Sequence, residues 1–128
     1  MIIQQVSVFL ENQPGTLIGV LAVLKENGVN IRALSLADTA DFGILRLIVD
    51  DPQALEEILR KAGLTAKLTS VLAVTVKDRP GDLAEQIEKL AEAFINIEYM
   101  YAFAAVNDKD AHVALKVDDV VKAEQILG

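Results

Sequence analysis

Seven consecutive residues, Glu11-Asn12-Gln13-Pro14-Gly15-Thr16-Leu17, carry the clearest chemistry in the chain. Pro-Gly is turn chemistry, Thr16 is available as a helix N-cap, and the residues that follow have helical spacing. A helix start presents backbone N–H groups with no acceptor inside the helix, and it attracts a carboxylate by about 0.3–1 kcal/mol. Gly15 has no Cβ, so a ligand can approach the backbone closely. Asn12 precedes the turn, and Asn30 begins the next strand, expected at the same end of the unit. A side-chain amide accepts from an ammonium and donates to a carboxylate, so the set suits a zwitterion. The plainer reading of the same residues is a tight turn flanked by two asparagines that cap loops.

Other reactive groups are scarce. There is no Cys, which removes thiol nucleophiles, CxxC redox chemistry, disulfides and thiolate metal sites. The one histidine, His112, lies in the alternating run Ala111-His112-Val113-Ala114-Leu115 and reads as a surface or satisfied core residue. No Ser-His-Asp arrangement can be built around it, and GxSxG is absent. Asp50-Asp51, Glu56-Glu57 and Asp118-Asp119 fall at helix starts or in first turns, where they complement the helix dipole. No glycine-rich phosphate or dinucleotide fingerprint occurs. No catalytic residue, metal or cofactor is therefore expected.

The bulk composition agrees. The 128 residues are 52% hydrophobic and 24% charged, a globular composition that excludes intrinsic disorder. Twelve Lys+Arg stand against 19 Asp+Glu, and the basic residues are spread singly, which argues against nucleic acid. No stretch of about 18 apolar residues suggests a membrane span. The start MIIQQVSV lacks the pattern of a secretory signal, so a cytoplasmic protein is expected.

The elements that must position the turn come in two copies. Pro14-Gly15 recurs as Pro80-Gly81, and at the same offset of 66 Leu17, Leu21, Leu24, Asn30 and Ile31 fall on Leu83, Ile87, Leu90, Asn96 and Ile97. After two extra loop residues, Val49-Asp50-Asp51 falls on Val117-Asp118-Asp119 and Leu59 on Leu127. So many ordered matches mark a duplication. In the first copy, residues 3–10 read as a strand, Leu17, Val20, Leu21 and Leu24 as a helix closed by Gly28, and 29–38 and 42–49 as strands joined by Thr39-Ala40-Asp41. Asp51-Pro52 opens a second helix ending at Gly63, and residues 64–69 suit a fourth strand. In the second copy, residues 71–76, 95–106 and 111–117 read as strands, and 82–94 and 119–127 as helices. Asp82 with Glu85 fits a D-x-x-E capping box. Tyr99, Tyr101 and Phe103 alternate on one strand face, either packing or lining a pocket. Gly15 and Gly19 lie one helical turn apart, a spacing that permits close approach, and packing is the expected reason for Gly19.

The expected class is α+β: two ferredoxin-like βαββαβ units, residues 1–69 and 70–128, packed together, with antiparallel sheets and helices on one face. The second unit lacks its last strand, leaving a sheet edge that another segment must cover.

Leu10-Glu11-Asn12-Gln13-Pro14-Gly15-Thr16-Leu17, followed by Gly28-Val29-Asn30-Ile31, resembles the signature of ACT domains, small-molecule and usually amino-acid sensing modules. Asp78-Arg79-Pro80-Gly81-Asp82-Leu83 and Asn96-Ile97 form a looser second copy. Phe42-Gly43-Ile44-Leu45-Arg46 and Ile97-Glu98-Tyr99-Met100-Tyr101 further resemble stand-alone proteins made of two ACT domains. The resemblance spans essentially the whole chain. It implies ligand contacts from Asn12 and Asn30, as in serine-sensing members, and a ligand carboxylate on the backbone of Gly15, Thr16 and Leu17, with Ile31 beside Asn30. The second copy would use Asp78, Gly81, Asp82, Leu83 and Asn96. Two departures matter: Leu10 stands where a histidine is frequent, and Asp78 replaces the first asparagine, so the second site is altered or idle.

The resemblance thus implies a non-catalytic, allosteric amino-acid-binding protein, expected as a homodimer, with ligand at the strand–helix turn between paired domains. The alternative is a regulatory subunit that contacts a catalytic enzyme of amino-acid metabolism and has vestigial ligand binding.

Overall fold

Alternating β-branched and apolar residues extend the chain from its start, and a computed structural model of residues 1–38, 41–104 and 110–127 shows what they build. Thr39 and Ala40 of the expected loop, and Ala105 and Val106 of an expected strand, lie outside the described residues. Ten elements follow in order: β1 (Ile2–Glu11), α1 (Thr16–Glu26), β2 (Ala33–Asp38), β3 (Phe42–Ile48), α2 (Pro52–Lys61), β4 (Thr65–Val76), α3 (Asp82–Glu92), β5 (Ile97–Ala104), β6 (Ala111–Val117) and α4 (Val120–Leu127). They divide into two compact units, Gln4–Thr69 and Met1–Ile3 with Ser70–Gly128.

In the first unit the strand order is β2-β3-β1-β4. β1 and β3 run antiparallel with Val6 opposite Leu47 and Val8 opposite Leu45, so these four side chains share one face. That face is covered by Val20 and Leu24 of α1 and by Leu55 and Leu59 of α2, forming one buried core. α2 begins as its sequence dictates: Asp51 caps it by accepting from Ala54 N at 3.1 Å, and Pro52 takes the first helical position, where its missing N–H costs nothing. α1 ends at Glu26, and just past it Gly28, with a φ of 66°, lets Val29 N donate back to Leu24 O at 2.9 Å.

The second unit repeats the design, with order β1-β4-β6-β5 and a core built on Leu72, Leu90, Leu115 and Ala123. Its first strand is the later part of β4. The strands expected at 64–69 and 71–76 are one 12-residue strand that starts at Thr65, and the expected junction at Thr69-Ser70 lies inside it. The helix expected to reach Phe94 stops at Glu92, and Phe94 takes the position of Gly28 with a φ of 59°.

As expected, no strand follows α4 among the described residues, and another segment covers the edge this leaves: Met1–Ile3, expected in the first unit, groups with the second. Met1 N donates to Ala73 O at 3.1 Å and Ala73 N donates to Met1 O at 2.8 Å. That reciprocal pair is the signature of an antiparallel ladder. Ile2 N then donates to Glu124 Oε2 of α4 at 2.8 Å. The edge of β4 is covered from the other end of the sequence, which a repeat-by-repeat reading does not reveal.

Candidate functional site

Between β1 and α1 the chain reverses at Gly15, whose φ of 91° is open to glycine and strained for other residues. Gly15 is the N-cap, and Thr16 is the first helical residue, which corrects the expectation that Thr16 caps the helix. The Thr16 hydroxyl instead turns back into the loop. It lies 2.7 Å from Glu11 O and 2.9 Å from Gln13 O and shares its one proton between them. The helical ladder starts with Gly19 N donating to Gly15 O at 3.1 Å. Gly15 has no side chain to accept from Leu17 or Ile18, and the first turn of α1 holds no acid. The positive end of α1 is thus left without a counter-charge from its own first turn.

This end opens on a groove of about 550 Å³. Its walls include Phe9, Phe42, Gly15, Gly19, Val20 and Leu64. A Cβ added at Gly15 or Gly19 would meet nothing within 4 Å, so packing among the described residues does not require glycine at position 19, which lines the groove. The groove combines backbone donors with apolar walls, an arrangement suited to a small molecule having a carboxylate and an apolar part. The spacing of Gly15 and Gly19 pointed to close approach, but the aromatic walls come from distant strands and left no local signal.

The two asparagines are not together. Asn12 is exposed at the turn, where its backbone N–H donates to Asp41 O at 3.1 Å, beside the start of β3. Asn30 follows the far end of α1, about 16 Å away at 1.5 Å per residue over the 11 residues of that helix. It lines a separate cleft of about 270 Å³ with Asn27, Gly28, Asp50 and Asp51. Nearby, Arg32 N donates to Ile48 O at the end of β3, and Arg32 grips Asp50 through bonds of 3.1 and 3.0 Å. This hydrogen-bonded pair holds the Asp50 carboxyl below its usual range. The expectation of a shared end fails because a helix carries the chain across the unit before the next strand begins. Ile31 and Leu17 pack against the core, so of Leu17 only the backbone faces the turn.

The second turn has the same backbone, with Gly81 as N-cap at φ 87°, but different side chains. Asp82 begins α3 and is only 6% exposed. Its carboxylate accepts from Lys77 N at 2.8 Å, from Arg79 Nε and Nη2 at 3.2 and 2.9 Å, and from Gln86 Nε2 at 3.2 Å. The Lys77 N–H bond is the main cause that holds its pKa below the ordinary value; partial burial opposes this, and Arg79 and Gln86 assist. The expected capping box is not formed, because Asp82 stands inside the helix and Glu85 binds Arg79 at 3.2 Å. Asp78 is exposed, and Leu83 packs inward. Asn96 lies at the far end of α3, where its N–H donates to Asp118 Oδ1 at 3.1 Å.

The remaining chemistry is structural. His112 Nδ1 lies 3.4 Å from Thr75 Oγ1, and its ring is 5.4 Å from that of Phe103. Tyr99, Tyr101 and Phe103 stand opposite Lys116, Ala114 and His112. Among the described residues no cluster of three or more acidic or histidine side chains is placed to hold a metal, and no helix is long and apolar enough to cross a membrane.

Comparison with known proteins matches this geometry. A family model described as an ACT domain pair fits residues 1–127. The crystal structure of protein BT0572 from Bacteroides thetaiotaomicron is 37% identical, with a TM-score of 0.91 over 99% of this chain and 87% of that one. Regulatory subunits of aspartate kinase share the fold. That of Thermus thermophilus, in its ligand-free form, has a TM-score of 0.67 at 17% identity, covering 99% of this chain and 93% of its own. That of Thermus flavus has a TM-score of 0.64 at 16% identity, covering 99% and 91%. None of the curated proteins matches. The duplicated turn, the strand order of each unit and the family match along nearly the whole length lead to one conclusion: this chain belongs to the ACT domain family, as an ACT domain pair, a regulatory fold.

Proposed function

We propose that this chain is a non-catalytic regulatory protein that binds an amino acid at the β1–α1 turn of its first unit. The observation that carries the reading is the start of α1: capped by Gly15 without a side chain, free of acids in its first turn, and open to the groove of about 550 Å³. The ligand carboxylate lies on the N–H groups of Leu17 and Ile18, Asn12 meets its ammonium group, and the apolar walls take its side chain. Asn30, at the other end of the unit, reaches the same ligand only from a second copy of the chain, which makes a homodimer part of the reading.

Thermal-shift and calorimetric titration with each of the twenty amino acids tests it. A ligand at 100 times its Kd should add about 2.7 kcal/mol of stability. Asn12→Ala should abolish the response. Silence with all twenty would count heavily against amino-acid binding. The fold shared with regulatory subunits of aspartate kinase favours a second reading, a subunit that acts by contact with a catalytic enzyme. That version predicts an enzyme complex whose stability does not depend on amino acids.

A further inference from the structure

Asn27-Gly28 is a reactive pair that ligand binding does not use. Of the chain's five asparagines, Asn27 alone is followed by glycine; Gln13, Ile31, Ile97 and Asp108 follow the others. Asparagine is thermolabile because the next backbone nitrogen can attack its side-chain amide, and a next residue without a Cβ leaves that approach open. Asn27 is exposed and is the C-cap of α1. At the offset of 66 the second unit has Ala93-Phe94, which keeps a left-handed residue at φ 59° but has no amide to react.

The folded turn holds the reacting groups apart. Asn27 Nδ2 donates to Val23 O at 2.8 Å, and Gly28 N donates to Lys25 O at 3.2 Å. A ψ of 9° at Asn27 eclipses Gly28 N with the backbone N of Asn27 itself, which turns Cβ and the amide carbon away from the attacking nitrogen. Ring closure therefore needs the last turn of α1 to open. That opening breaks local bonds, Asn27 N to Val23 O and Val29 N to Leu24 O among them, and costs less than unfolding the unit.

We propose that Asn27 is a self-modification site, where attack by Gly28 N expels ammonia and the carboxylate that results loosens the end of α1. Gly28 N gives up its proton and bonds to Asn27 Cγ, the Cγ–Nδ2 bond breaks, and ammonia leaves with that proton. One solvent water then opens the cyclic imide at either C–N bond, giving aspartate or its isomer linked through the side chain. The sum is amide plus water to carboxylate plus ammonium, with nothing oxidised or reduced. The product has no proton to donate to Val23 O. It also sets a negative charge at the negative end of α1, in the cleft that Asp50 and Asp51 line. All these changes disfavour the native turn, and they are confined to the first unit.

The full chain is aged in warm neutral buffer, with and without urea, and its digests are followed by mass spectrometry. In urea the peptide holding Asn27 should gain the mass of amide-to-acid conversion before those holding the other four asparagines. Without urea its conversion should be at least about tenfold slower. Earlier conversion of another asparagine in urea overturns the proposal, as does an equal rate at Asn27 in both buffers. Asn27→Asp copies the main-chain product. Hydrogen exchange at the Val29 amide, the donor to Leu24 O, should quicken at least about fivefold in that variant. The matching Ile95 amide, the donor to Leu90 O, should keep its protection. Unchanged exchange at Val29 overturns the loosening. The converted fraction of the aged chain, separated by its added negative charge, should unfold at lower urea than the unconverted one. Equal midpoints overturn the loosening even where the variant does not fold.

Discussion

Thr16 and Asp82 hold the same position in the two copies of one turn, yet they tie it down in opposite senses. The Thr16 hydroxyl donates to the carbonyl of Glu11 at 2.7 Å, while the Asp82 carboxylate accepts from the N–H of Lys77, the counterpart of Glu11, at 2.8 Å. A single substitution between repeats has thus turned a neutral brace into a charged one. The backbone is kept, with the N-cap glycines at φ 91° and 87°.

A charged brace is sensitive to acid. Asp82 has a native pKa below its unfolded value near 3.8, so it contributes stability that is complete above that value and is lost as pH falls through the native one. Asp50, lowered by its bonds and charge interaction with Arg32, acts in the same direction. Urea midpoints should therefore be flat toward neutrality and fall below about pH 4. Asp82→Asn should flatten that fall, and an unchanged acid limb would show that the network around Asp82 adds nothing to stability.

Much of this architecture was legible because it depends on local pattern. The offset between Pro14-Gly15 and Pro80-Gly81, the helical spacing of Leu17 to Leu24, and the Asp51-Pro52 helix start all determine structure within a few residues of themselves. What the sequence hid depends on distance or on competition. Met1–Ile3 pairs with Ala73, more than half the chain away, and no local signal encodes that partner. Thr16 and Asp82 are good N-cap types, but glycine in the left-handed conformation takes the cap and moves both into the helix. Asn12 and Asn30 were expected at one end of the unit, and the length of α1 sets them apart.

Two glycines at the start of α1 should respond oppositely to alanine. Gly15→Ala places a Cβ at φ 91°, a conformation that costs an ordinary residue about 1–2 kcal/mol, so the urea midpoint should drop. Gly19→Ala lies inside the helix with nothing within 4 Å of the new atom, so it should gain up to about 1 kcal/mol. The same methyl group intrudes on the groove, and the thermal shift produced by a bound amino acid should shrink. Gain of stability together with undiminished ligand response would move the ligand elsewhere.

Phe94 offers a comparable test in the second unit. It follows α3 at φ 59°, where the first unit uses Gly28, and the residue is 94% exposed. Little burial offsets the left-handed backbone, so Phe94→Gly should stabilise the chain, by about 1 kcal/mol. Chemical denaturation reads this directly. A loss of stability would mean that the exposed ring makes a contact that favours the native state.

The N-terminal strand supplies the last prediction. Met1–Ile3 joins the second unit through its pair with Ala73 and through Ile2 N donating to Glu124 Oε2. A hydrogen bond to a charged acceptor is worth about 1.5–3 kcal/mol, more than a neutral one. Glu124→Ala leaves the Ile2 N–H to water and should let the segment open locally, well below the cost of global unfolding. Native-state hydrogen exchange should then show the Ala73 amide exchanging faster, since its acceptor is Met1 O. The β1–β3 ladder of the first unit, anchored by Val6, Val8, Leu45 and Leu47, should keep its protection. Equal acceleration at both places would mean that Glu124 supports the whole fold and that Met1–Ile3 does not open as a separate strap.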